Sequence, residues 1–121
     1  MSKEKLIKYI QETYGAQEEH PWNRYPDYAV FRHKDNKKWF ALVMKIPDRY
    51  LGLAEDREVD VITVKADPAL IGSLLAEKGF YPAYHMNKTN WITILLDECE
   101  GEKIKNLLAM SFDLTKNKKR K

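Results

Sequence analysis

Residues 84–97 read Tyr-His-Met-Asn-Lys-Thr-Asn-Trp-Ile-Thr-Ile-Leu-Leu-Asp, and this stretch is the most informative about the fold. A polar segment, His85 to Asn90, is followed at once by a run with the pattern of a half-buried strand. Successive side chains of a strand point to opposite faces. One face would carry Trp91, Thr93 and Leu95, and the other Ile92, Ile94 and Leu96. The stretch therefore predicts a turn that leads into a strand over Trp91–Leu96.

The segments on either side of this strand predict an α+β domain. Four more segments have the apolar pattern and the length of strands: Tyr28–Arg32, Lys38–Ile46, Val59–Lys65 and Phe80–Tyr84. Three segments have apolar residues at helical spacing: Ser2–Tyr14, Pro68–Lys78 and Lys103–Leu114. The order α-β-β-β-α-β-β-α, with short turns between strands, predicts one mostly antiparallel five-stranded sheet with helices packed on one face.

Single residues refine this prediction. Ser2 and Asp67 are suited to cap the first two helices, and Pro82 places the fourth strand at a sheet edge because proline cannot donate to the ladder. The buried face of the second helix is predicted to be Leu70, Ile71, Leu74 and Leu75. Trp22, in the polar segment 16–27, is expected to pack against the core. We expect 47–58 to be a mobile surface loop, in which Tyr50, Leu51 and Leu53 are the side chains able to fold back.

Length and composition indicate one globular domain over 1–115. The chain has 121 residues, 44% of them apolar and 12% aromatic, with no apolar run of the roughly 20 residues that a membrane span needs. The single cysteine, Cys99, cannot form an internal disulfide, and we see no secretory segment, so we expect a cytoplasmic protein without membrane association. Five of the last six residues are basic. The remaining body of the chain, 1–115, is therefore slightly acidic, although the whole chain has a net charge of +3. We expect 116–121 to be a disordered basic tail.

Nearly the whole chain resembles the MmcQ/YjbR family. The resemblance is carried by four segments: Pro26–Arg32, Lys38–Leu42, Val61–Pro68 and Ala83–Lys88. It implies a compact α+β fold related to secretion-chaperone-like domains, and DNA binding through a double-wing motif. Two positions depart from the family pattern, since Thr63 stands where Asn is frequent and Asn90 where His often precedes the Trp. If either position contacted a ligand, the ligand of this chain would differ.

The polar turn and one neighbouring lysine are the candidate nucleic-acid site. Lys and Asn side chains donate to phosphate oxygens, and aromatic rings stack on bases. The site candidates are Lys65, His85, Asn87 and Lys88, and the candidate stacking aromatics are Tyr84 and Trp91. Four residues of the tail would add sequence-independent attraction to the nucleic acid: Lys118, Lys119, Arg120 and Lys121. In the alternative interpretation, the Asn and His side chains bond only to the backbone of a tight turn, and Lys65 extends over the sheet edge. Arg32 and His33 admit the same two interpretations.

The sequence shows no recognisable catalytic set, so no enzymatic activity, metal or cofactor is expected. The three histidines lack metal-ligand spacing, and the carboxylates around Cys99 disfavour its thiolate. Two hypotheses remain. The first is a non-enzymatic protein that binds nucleic acid, specifically DNA. The second is a protein-interaction module of the chaperone type, in which Trp39, Trp91 and Tyr84 on an exposed sheet face or edge hold a peptide or a second subunit.

Overall fold

The predicted helices and strands are present in the predicted order within residues 1–84 and 86–116, which this computed structural model describes. The helices are α1 (Lys3–Tyr14), α2 (Pro68–Leu75) and α3 (Gly101–Thr115). The strands are β1 (Ala29–Arg32), β2 (Trp39–Pro47), β3 (Glu58–Lys65), β4 (Phe80–Pro82) and β5 (Trp91–Leu95). Two short 3₁₀ helices follow β2 and β5, at Asp48–Leu51 and Leu96–Glu98.

The five strands form one sheet in the order β1-β2-β3-β5-β4, and all neighbours are antiparallel. β3 lies beside β5, where Lys65 is opposite Trp91. The edge position predicted for the Pro82 strand is confirmed. At the other edge, the backbone of Glu19 exchanges two hydrogen bonds with Val30 of β1 (3.1 and 2.8 Å).

All three helices cover one face of the sheet, as predicted. The core on this face joins residues of α1 (Leu6, Ile10), α2 (Ile71, Leu74) and α3 (Ile104, Leu108) to strand residues such as Phe31, Val43, Ile62 and Ile94. The predicted caps are present. The Ser2 hydroxyl accepts from the Lys5 N–H at 3.2 Å, the Asp67 carboxylate accepts from the Ala69 N–H at 2.9 Å, and Gly15 ends α1 with a φ of 64°.

Two predictions about α2 are wrong. The helix ends at Leu75 and not at Lys78, because the chain turns to bring the Gly79 carbonyl to the Leu95 N–H (2.8 Å), at the start of β4. In addition, Leu70 and Leu75 are 40% and 38% exposed. A helix of two turns packs on the sheet through one stripe, here Ile71 and Leu74, and the residues flanking that stripe remain partly in water.

The second face of the sheet is covered by loops and by the 3₁₀ helix Asp48–Leu51, without an α-helix in the described part of the chain. A separate core forms there from Tyr28, Val30, Leu42, Met44, Ile46, Val59, Val61 and Leu95. Trp22, from the polar segment 16–27, packs against this core as predicted. Leu51 and Leu53 fold back onto the same core, while Tyr50 is 45% exposed.

Candidate nucleic-acid interface

The strand register brings the predicted lysines to one end of the sheet. Arg32, the last residue of β1, pairs with Trp39 at the start of β2, and Lys65, the last residue of β3, pairs with Trp91 at the start of β5. The turn that joins β1 to β2 and the segment that joins β4 to β5 therefore lie at this same end. The turn adds Lys34, Lys37 and Lys38, and the segment adds Lys88. We call these five residues the lysine end: Lys34, Lys37, Lys38, Lys65 and Lys88.

The lysine end carries an excess of positive charge, although Asp35 lies in the same turn and Lys37 helps to lower the pKa of Glu19. Four of its five side chains are exposed, and Lys65 is half-buried. The ion pairs among described residues involve none of the five. Arg32 differs, because its guanidinium forms two hydrogen bonds to the carboxylate of Glu19. Glu19 in turn has a lowered pKa, first because of that hydrogen bond.

The C-terminus of α3 is fixed against the same end. The Asn36 amide donates to the Thr115 carbonyl at 2.9 Å, and His33 Nε2 lies 2.8 Å from the Thr115 hydroxyl. His33 is only 6% exposed and packs on Phe112 with 4.3 Å between ring centroids. Burial lowers the pKa of His33 below its ordinary value of 6.5. This histidine therefore connects the turn to α3, and Lys116 follows directly, so the basic tail is attached beside the lysine end.

Ser111 of α3 positions the strand end that carries Lys65. Its hydroxyl is fully buried, accepts from the Lys65 backbone N–H at 2.9 Å and donates to the Phe40 carbonyl at 2.5 Å. Phe40 is the extra residue of a bulge in β2, since Phe31 pairs with Ala41 and Arg32 with Trp39. One hydroxyl thus satisfies a strand end and a bulge whose backbone groups would otherwise lack partners.

The turn before β5 uses Asn87 for its own backbone. The Asn87 side-chain oxygen accepts from the Thr89 N–H at 2.7 Å, and the Asn87 carbonyl accepts from the Trp91 N–H at 3.0 Å. The alternative interpretation expected such bonds. Lys88, at the tip of the turn, is exposed. His85 lies outside the described residues, as do Lys118, Lys119, Arg120 and Lys121.

The aromatic residues of the second face form a pocket that extends along β2 from Trp39, at the lysine end, to Met44. The aromatic pocket has a volume of about 300 Å³ and is lined by Trp22, Tyr25, Tyr28, Trp39, Leu42 and Met44. The Trp22 ring is nearly perpendicular to those of Trp39 (5.5 Å, 86°) and Tyr28 (6.1 Å, 79°). Tyr25 stacks on Tyr28 at 4.7 Å and is 45% exposed. The pocket thus offers ring faces and ring edges at its surface.

A row of tyrosines connects this pocket to Lys88. The Tyr50 and Tyr84 rings stack at 4.9 Å, and the Tyr84 side chain interacts in turn with Tyr28. Tyr50, Tyr84 and Lys88 line a second, shallower pocket of about 280 Å³. Burial raises the pKa of Tyr28 and that of Tyr84.

The structure brings together most of the predicted site that it describes, and it adds residues that the sequence reasoning missed. Lys65, Lys88 and Trp91 lie at one end of the sheet, and Tyr84 and Trp91 both pack on the second face. Missed were the three lysines of the β1–β2 turn and the aromatic pocket. The run His33-Lys34-Asp35-Asn36-Lys37-Lys38 was the available signal, because it is rich in basic residues and contains a turn.

The opposite end of the sheet carries the opposite charge. Three of the acidic residues lie in the connection from β2 to β3 (Asp48, Glu55 and Asp56), two lie at the start of β3 (Glu58 and Asp60), and four lie between the end of β5 and the first turn of α3 (Asp97, Glu98, Glu100 and Glu102). We call these nine residues the acidic end. The two segments are adjacent, since Arg57 lies 3.8 Å from Asp97. The separation of charge explains why a basic surface is hidden in a body that is slightly acidic overall.

Two further positions have structural roles. Thr63 is fully buried, and its hydroxyl lies 2.7 Å from that of Thr93, so the departure from the family pattern at Thr63 does not reach the surface. Burial raises the pKa of the Cys99 thiol, opposed by Lys103 and supported by Glu77 and Glu100. In the described part of the chain, no group of three or more His, Cys, Asp or Glu residues could hold a metal ion, and no helix is long and apolar enough to cross a membrane.

The fold defines a class: an α+β domain with one antiparallel sheet, helices on one face and a loop-covered aromatic face. The YjbR family model matches residues 11–114, so the chain belongs to the YjbR family. It is 38% identical over 117 residues to the uncharacterised protein YyaQ of Bacillus subtilis, with 96% of this chain and 99% of YyaQ covered.

Solved structures show the same fold. A crystal structure of a Pseudomonas syringae protein has a TM-score of 0.94 and 49% identity, with 96% of this chain and all of that chain covered. A solution structure of a protein from the same organism has a TM-score of 0.89 and 47% identity, over 100% of this chain and 98% of that one. The Deinococcus radiodurans protein DR2400, at 20% identity and a TM-score of 0.65 over 89% of this chain and 76% of its own, shares the fold alone.

Proposed function

We propose that this protein is non-enzymatic and binds nucleic acid, specifically DNA, with the lysine end and the basic tail contacting the phosphates. The observation that carries the proposal is the gathering of five lysines without an ion pair to any described residue at the end of the sheet where α3 delivers Lys116. Phosphate neutralisation by Lys and Arg supplies most of the non-specific affinity for DNA. The body and the tail would then bind the same stretch of backbone.

A salt series tests this proposal. Binding to a labelled duplex is measured by fluorescence anisotropy from low to physiological salt, for the intact chain and for a chain that ends at Lys116. Deleting 117–121 removes Lys118, Lys119, Arg120 and Lys121. Every phosphate that the tail no longer neutralises should flatten the log–log slope by about 0.9, so four such phosphates set an upper limit of roughly 3.6. A residual affinity in the truncated chain measures the contribution of the folded domain.

Point variants then locate the site. We expect Lys65→Ala and Lys88→Ala to weaken the residual affinity and to lower the salt slope by up to about 0.9 each. Lys78→Ala is the matched control, because Lys78 is also exposed and without an ion pair to a described residue, but lies near the acidic end. Equal reductions in affinity in all three variants would indicate that DNA is attracted by the overall charge of the domain and is not bound at the lysine end. The absence of any binding by the intact chain at low salt would refute the proposal.

A protein partner is the second candidate function, and the aromatic pocket favours it. Exposed aromatic residues are enriched where proteins bind one another. The sheet edges are less suitable, because Glu19 pairs with β1 at one edge and β4 at the other has three residues and ends in Pro82. An apolar peptide or a second subunit on the second face would bind with little dependence on salt, which distinguishes it from DNA in the same titration.

A further inference from the structure

We infer that the nucleic acid is bound as a single strand, and that the aromatic pocket takes one unpaired base while the lysine end holds the adjoining phosphates. The inference rests on the proposed function and specifies its partner. All three tryptophans of the chain, Trp22, Trp39 and Trp91, pack on the second face of the sheet. Two of them begin the strands β2 and β5, at the same end as the lysines.

The position of Trp39 joins the pocket to the cationic surface. Trp39 lines the pocket, directly follows Lys38 and is opposite Arg32 in the sheet. Lys65 is opposite Trp91 on the neighbouring pair of strands. Cationic and aromatic side chains therefore occur in neighbouring positions along this end. Proteins that bind single strands combine these two elements, a positive surface for the backbone and aromatic rings for the bases.

The size and walls of the pocket suit a planar ring. A volume of about 300 Å³ lies at the lower limit of ordinary ligand pockets, which are about 300–1,000 Å³. The Tyr25 ring, 45% exposed, lines the pocket while it stacks on Tyr28, and Trp22 and Trp39 meet nearly at right angles. Leu42 and Met44 are almost fully buried and supply an apolar floor. Such a site favours stacking over hydrogen-bond readout.

Base pairing determines whether a base can enter the aromatic pocket, and it therefore distinguishes single strands from duplexes. In a duplex, the bases are stacked on each other and cannot enter a pocket on a protein surface unless the duplex is opened, which costs a few kcal/mol. An unpaired base is free to stack on tryptophan or tyrosine. Phosphate contacts at the lysine end are available to both forms. Only the contribution of the aromatic pocket should therefore discriminate between them.

The test compares a 12-nucleotide oligo(dT) with a blunt duplex of equal length at one low salt concentration, by anisotropy and by intrinsic tryptophan fluorescence. We expect tighter binding of oligo(dT), with quenching that the duplex does not cause. Tyr25→Ala should weaken oligo(dT) binding about 5- to 150-fold, which corresponds to one base–aromatic stack, and leave duplex binding within about twofold. Tyr25→Phe should retain the affinity of the unmodified chain.

Tyr9→Ala is the matched control, since Tyr9 is a partly exposed tyrosine of α1 on the helical face. A thermal melt of each variant confirms that it is folded. Equal affinity for both forms without quenching would overturn the single-strand inference and leave the proposed function intact. An equal reduction for both forms in Tyr25→Ala would also overturn it. Binding of neither form would refute the proposed function as well.

Discussion

Replacing Ser111 with alanine should destabilise the domain strongly. The Ser111 hydroxyl is fully buried and makes two bonds, from the Lys65 N–H (2.9 Å) and to the Phe40 carbonyl (2.5 Å). Alanine removes the partner of one buried donor and one buried acceptor. Each such orphaned group costs about 1–3 kcal/mol, so we expect the free energy of unfolding to fall by about 2–6 kcal/mol. For a domain of this size, that is a fall in Tm of roughly 8–24 °C.

The assay is urea unfolding followed by circular dichroism, together with a thermal melt. Ser73→Ala is the matched control, because Ser73 is exposed and its hydroxyl bonds only to the Leu70 carbonyl of its own helix (3.1 Å). We expect that control to stay within about 0.5 kcal/mol of the unmodified chain. A change below about 1 kcal/mol in Ser111→Ala, with an unchanged m-value, would show that the bulge and the strand end are not held by this hydroxyl.

Three further perturbations address the turn, a close backbone approach and a buried histidine. Asn87→Ala should lower stability by about 0.5–2 kcal/mol, since it removes a local bond to the backbone, and a melt that did not move would favour a ligand role for this residue instead. Gly79→Ala should cost more than Gly52→Ala in urea unfolding. Both have positive φ (93° and 81°), which costs about 1–2 kcal/mol for alanine, but only at Gly79 would the new Cβ meet backbone, the Glu98 carbonyl at 3.0 Å. Because the pKa of His33 is lowered by burial, the unfolded chain binds its proton first, so stability should fall as the pH drops below about 6.5, and His33→Gln should flatten that dependence in melts at pH 5 to 8.

The fold was predictable because its strands and helices are marked locally. The alternation of Trp91 to Leu96, the caps at Ser2 and Asp67, and Pro82 in an edge strand each depend on neighbouring residues only. The helix–sheet packing on one face follows from the same pattern. The end of α2 was not predictable in this way, since the turn at Gly79 serves a strand pairing with Leu95, sixteen positions further along the chain.

The candidate site was only partly predictable for a related reason. Asn87 and Lys88 belong to one short motif, but the cationic surface depends on three chain segments that meet only through the register of β1, β2, β3 and β5. The bulge at Phe40 adds to the difficulty, because one extra residue changes which side chains of β2 share a face. The pocket likewise needs Trp22 and Tyr25, from a loop without periodicity, to lie over the strands.

The separation of charge along the sheet has a consequence for how this protein meets other molecules. The strand β3, with eight residues, extends about 25 Å between the acidic end and the lysine end. The Debye length is about 8 Å at physiological ionic strength. A polyanion that touches the lysine end is therefore screened from the acidic end. It experiences the positive potential of the nearby lysines, although the total charge of the domain is nearly balanced. At low salt the Debye length approaches the length of β3, so a polyanion interacts with both ends of the sheet at once. The domain then turns its lysine end toward the polyanion before contact.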